Sequence, residues 1–139
     1  MDEKELKKAN KDIKTLLNVY LDIISFEDKT NDMLREIILK SDGLDDNERD
    51  RMEYACDCMD EMLDYAEQTT KLLKDYISPF GIPYDKLFDM SYKDFNKLYS
   101  NIIRIYKNYR EAYDDAYNQY SYVGKSGYYK SVRYQHSVI

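Results

Sequence analysis

The chain has 139 residues, 43% apolar and 35% charged, with four glycines, two prolines and a formal charge of −6. That length supports a single core of modest size, and the composition excludes a disordered chain. The net acidity disfavours a bulk nucleic-acid binder, because attraction to phosphate needs a positive field. No run approaches the ~18 apolar residues of a membrane span, and the charged stretch from Met1 to Lys14 is no secretory signal.

Residues 3–41 contain neither glycine nor proline, and Leu6, Ala9, Ile13, Leu16, Tyr20 and Ile23 recur at the three/four spacing of a helical core stripe. Phe26, Thr30, Met33 and Ile37 continue the stripe one residue early. This is a local stammer. Either one helix is overwound near Ser25, or it breaks around Asp28–Asn31; the cap-prone residues there favour a break or bend.

Gly43-Leu44 has the form of a left-handed helix stop with its apolar follower, after which Asp45 or Asp46 can cap a second long helix. Its stripe is Met52, Ala55, Met59, Met62, Ala66, Thr69, Leu73 and Tyr76. The segment Ser78-Pro79-Phe80-Gly81-Ile82-Pro83 is the one strong break, and residues 84–90 suit a short helical turn. Ser91 with Asp94 then resembles a capping box and opens a third helix, expected to run to about Ser121. Phe95, Leu98, Ile102, Ile105, Tyr109, Ala112 and Ala116 form its core stripe. Gly124 and Gly127 interrupt the pattern, and the basic, aromatic end reads as a tail or as a hairpin with residues 119–123. The expected fold is therefore all-α: an antiparallel bundle of three long helices over residues 1–123, the first able to split in two, followed by the tail 124–139.

Charge is unevenly spread. Residues 1–41 hold 8 basic and 9 acidic groups, residues 42–78 hold 4 and 12, and residues 79–139 hold 9 and 6. The acidic excess is concentrated in Asp46, Asp50, Glu53, Asp57, Asp60, Asp64 and Glu67, alternately four and three apart and opposite the core stripe of the second helix. A solvated face is the plain explanation. Against it, neighbours one turn apart are like-charged throughout, each pair costing ~0.2–0.5 kcal/mol where a Glu–Lys pair would return as much. Carboxylates ~5–6 Å apart approach the spacing of phosphates along a nucleic-acid strand. The row suits a basic protein surface, including that of a nucleic-acid-binding effector blocked by a nucleic-acid mimic of the phage anti-defence or immunity kind. Direct nucleic-acid binding is not expected.

Tyrosine supplies 16 residues and tryptophan none. Tyr92, Tyr99, Tyr106, Tyr113 and Tyr120 recur every seven residues beside the third core stripe. The plain reading is a helix seam with wet hydroxyls. The alternative is a secondary interface of Tyr99, Tyr106, Tyr113, Tyr120, Tyr128, Tyr129 and Arg133, through which copies of the chain assemble.

Other chemistry is thin. Cys56 and Cys58 point to roughly opposite helix faces, so no intrachain disulfide is expected and a reducing, cytoplasmic setting is the simplest. Cys56 is expected near the core and Cys58 exposed. Gly124-Lys125-Ser126 lacks the upstream glycine of a phosphate-binding loop, since Gln119 stands there. With a single histidine, His136, no nucleophile–base pair can be placed. No enzyme activity, cofactor, metal or membrane partner is expected.

Overall fold

The computed structural model describes the backbone of residues 1–39 and 43–138, and side chains for residues 1–26, 28–33, 35, 43–119 and 121. All regular structure in it is helical: α1 (Glu3–Ile24), α2 (Phe26–Leu39), α3 (Asp46–Leu73), α4 (Asp85–Asp89) and α5 (Tyr92–Val138). The all-α expectation holds. No helix among the described residues is long and apolar enough to cross a membrane.

The chain divides into two compact units, one of residues 1–26 and 63–110, the other of residues 27–62 and 111–139. In the first, α1 begins with a reciprocal capping box: the Asp2 carboxylate accepts from Glu5 N–H at 2.8 Å, and Glu5 accepts from Asp2 N–H at 3.1 Å. Ala9, Ile13, Leu16, Val19, Tyr20 and Ile23 are buried on one face of α1, against a core that includes Ala66, Leu73, Leu87, Phe95 and Ile102. The stammer resolves at Ser25, not at Asp28–Asn31. Ser25 alone separates α1 from α2, and its hydroxyl donates to the Asp22 carbonyl at 2.7 Å. Such a local bond competes with the helical ladder where the apolar spacing shortens.

Between α3 and α4 the chain makes a tight loop organised by Ser78. Ser78 N–H donates to the Ile82 carbonyl at 2.8 Å, and its hydroxyl accepts from the N–H groups of Phe80 at 3.3 Å and Ile82 at 3.0 Å. Gly81 takes φ +79°, a region where a side chain would strain the backbone. A Cβ there would also meet the Leu21 side chain at 3.1 Å. The amino group of Met1 donates to the carbonyls of Phe88 at 2.8 Å and Met90 at 2.7 Å, satisfying acceptors that the end of α4 leaves open.

In the second unit α3 starts as expected. Gly43 has φ +77°, and Leu44 packs with Met52. Asp45 accepts from Glu48 N–H at 2.8 Å, and Glu48, 2% exposed, accepts back from Asp45 N–H at 3.3 Å. Met52, Ala55, Met59 and Met62 are buried on α3, Ala112 and Ala116 on α5.

Two further expectations need correction. α5 does not stop near Ser121; it continues to Val138 through Gly124 and Gly127. A glycine inside a helix costs only about 1 kcal/mol against alanine, and the segment contains no proline. The backbone from residue 124 to Val138 is therefore helical and not a hairpin. Cys58, expected exposed, is buried at 4%, and Cys56 is half-buried. Cys58 lies three residues after Ala55 and four before Met62, which puts it nearer the centre of the apolar stripe than Cys56.

Ser78→Ala removes the acceptor of two loop amides. It should lower stability by about 1–2 kcal/mol, read from the midpoint of urea unfolding at unchanged slope.

Candidate functional site

The acidic row is carried by α3, a helix whose opposite face is committed to the core. In the second unit Asp46, Asp50, Glu53, Asp57 and Asp60 are all exposed, a line of about 21 Å at ~1.5 Å per residue. Asp64 and Glu67, in the first unit, are exposed as well. Among the described residues none of the seven carboxylates has an ion-pair or hydrogen-bond partner. Their neighbour Arg51 is turned away, donating to the Gln119 side chain on α5 at 3.2 Å. The carboxylates on the outer side of α3 are left to solvent.

The field of the row is felt by Cys56. Its thiol is pushed above its ordinary pKa by burial first, and then by the carboxylates of Asp60, Asp57 and Glu53. Cys58 is also raised, mainly by burial, an effect opposed by its hydrogen bond to the Tyr54 hydroxyl and reinforced by Glu61, Asp115 and Asp57. Both thiols are thus held protonated and poorly nucleophilic, unlike a catalytic cysteine. No group of three or more metal-ligating side chains forms among the described residues.

The tyrosine row lies along internal seams. In the first unit Tyr106 donates to the Asp22 carboxylate at 3.1 Å, and Tyr99 meets Asp12 and Thr15, so α1 and α5 run in the same direction there. Burial raises the pKa of both phenols; Asp12 adds to it at Tyr99, and Asp22 adds to it at Tyr106, where Arg110 opposes. Tyr106 stacks on the fully buried Tyr109, and Tyr109 meets the edge of Phe26. In the second unit Lys29 lies 5.8 Å over the ring of Tyr113, which stacks on the exposed Tyr117. There Arg51 pairs with Gln119, and Cys58 lies near Asp115, so α3 and α5 run in opposite directions. Tyr92, Tyr99, Tyr106 and Tyr113 are half-buried. The side chains of Tyr120, Tyr128, Tyr129 and Arg133 lie outside the described residues.

Periodicity alone placed the rings beside the core stripe, but the acids that receive their hydroxyls could not be read from it. Asp12 and Asp22 carry a weak signal: each sits one residue before an apolar stripe position, at the edge of the buried face.

Comparison with protein-family models, with curated proteins and with solved structures finds no match to this chain.

Two outcomes follow from the pKa directions. A phenol whose pKa is higher in the folded state stabilises the fold fully below the unfolded value of ~10 and loses that contribution as pH rises through the folded value. Stability should therefore fall above about pH 10, as Tyr20, Tyr99 and Tyr106 are all raised, and Tyr106→Phe should make the fall shallower in alkaline unfolding titrations. In a Cys58→Ala background, reversing Asp57 and Asp60 to Lys should move the pH profile of Cys56 alkylation downward, because the row's negative field is what is removed.

Proposed function

We propose that the protein is a small non-enzymatic binding protein, a helical bundle with antiparallel long helices that presents the outer face of α3 to a basic surface of another macromolecule. The observation carrying this reading is the exposure of Asp46, Asp50, Glu53, Asp57 and Asp60 together, with no cation answering them among the described residues. Burial of the opposite stripe holds the helix in place despite like-charge neighbours. A rigid helix bearing carboxylates at ~5–6 Å intervals needs little reordering on binding, which favours affinity. Its natural counterpart is a surface that evolved to hold phosphates. An inhibitor occupying the nucleic-acid channel of a nuclease or effector, as anti-defence and immunity proteins do, would use the face in this way. The seat of action is then the cytoplasm.

The alternative is an oligomerising bundle assembled through the tyrosine row. Half-burial of Tyr99, Tyr106 and Tyr113 against their own chain speaks for a seam ahead of a free interface.

Capture of partners from the source cell tests the proposal. The wild-type chain should retain basic proteins at ~0.1 M salt and release most of them by ~1 M, as the screening length shrinks from about 10 Å to 3 Å. Asp50→Lys with Asp57→Lys and Asp60→Lys should lower retention by at least tenfold with an unchanged helical spectrum. Equal retention by wild type and triple variant would reduce the row to a solvated face.

A further inference from the structure

The first unit exposes apolar side chains that its core does not explain. Phe80 is 86% exposed and Ile82 61%, at the tip of the loop that Ser78 ties with four hydrogen bonds. The tip is thus a fixed projection. It rests on Leu21, itself 42% exposed, through Gly81. Leu21 and Ile24 are three residues apart on one face of α1, and Ile24 is also 42% exposed. Next to Ile24, Ile23 lines an open groove of about 540 Å³ with Leu63, Ala66, Thr70 and the charged pair Glu67 and Lys71, and Leu63 is 47% exposed. An apolar projection and a groove with apolar lining at Ile23, Leu63 and Ala66 therefore stand on the same unit.

We propose that this surface is a self-association face, with Phe80 and Ile82 of one copy seated in the Ile23–Leu63–Ala66 groove of a second, and the reverse contact made by the two-fold partner. Two arguments select a second copy as the occupant. The first is area. Phe80, Ile82, Tyr84, Leu21, Ile24 and Leu63 together expose roughly 600 Å² per copy, hence about 1,200 Å² in a symmetric pair, the lower end of specific interfaces. The second is charge. In a chain of net charge −6, identical surfaces approach only where the charge is locally balanced. Around this face Glu67, Asp75 and Asp85 are matched by Lys71, Lys74 and Lys86, all exposed. The part of the acidic row in the second unit, Asp46 to Asp60, offers no such balance, and the pairing does not draw on it.

Sedimentation velocity of the full chain, across roughly 10 µM to 1 mM, tests the pairing, since an interface at the small end of the range gives a weak dimer. The weight-average mass should rise with concentration from that of the 16.7 kDa chain toward twice that value. Phe80→Ser with Ile82→Ser should weaken the association at least tenfold while the helical spectrum is unchanged, since both side chains lie outside the core. Leu63→Glu, on the groove side, should do the same. A wild-type chain that stays monomeric throughout overturns the proposal, as does undiminished association of the loop variant. A monomeric wild type that floats with phosphatidylcholine vesicles through Phe80 would assign the tip to a bilayer. One that needs Phe80 to capture a different protein would assign it to that partner; either result overturns the pairing with a second copy.

Discussion

Burial of a single apolar stripe along α3 governs the direction of every other side chain on that helix. Met52, Ala55, Met59, Met62, Ala66, Thr69 and Leu73 are all buried. A helix has one orientation that achieves this, and the acids half a turn away are then carried outward. Each buried side chain of this size contributes ~1.5–3 kcal/mol in transfer terms. The repulsion between adjacent carboxylates is several-fold smaller per pair. The core therefore decides the geometry of the acid face, and the acid face has no means of altering the core. This is why so unbalanced a surface can persist on an ordered helix.

The tyrosines show the same hierarchy at the edge of the core. A phenylalanine at Tyr106 would fill the seam between α1 and α5 but would remove the hydroxyl that donates to Asp22. The Tyr106 phenol buries its ring and donates its hydroxyl to Asp22 of α1. Pairing of this kind fixes register along α1, where apolar contacts alone tolerate sliding. It also explains how a chain without tryptophan uses sixteen tyrosines without presenting all of them as a sticky surface.

Local signals were legible where one short-range rule dominated. The Gly43 stop, the Ser91 cap of α5 and the stripes of α1, α3 and α5 fall where spacing and capping chemistry put them. The break in the first segment was legible as a stammer but not as a position, because several cap-prone residues compete and a single hydrogen bond at Ser25 decides. The end of α5 was misjudged because two glycines weaken a helix without ending it. Cys58 was misjudged because a two-residue offset straddles the edge of the stripe, where Ala55 and Met62 draw it inward.

The amino-acid sequence by itself determined the helical class, the buried stripes and the outward direction of the acidic row, since each depends on a periodicity of 3.6 residues and on local capping. Tertiary structure decided the rest. Only packing joins Tyr106 to Asp22 across 84 residues, or brings Gly81 onto Leu21. Only the hydrogen bonds gathered by Ser78 hold Phe80 and Ile82 outward, in a segment whose composition announced a break and nothing of what the break would display. Partners distant in sequence leave no periodic trace, so their meeting is decided by which faces the core has already claimed.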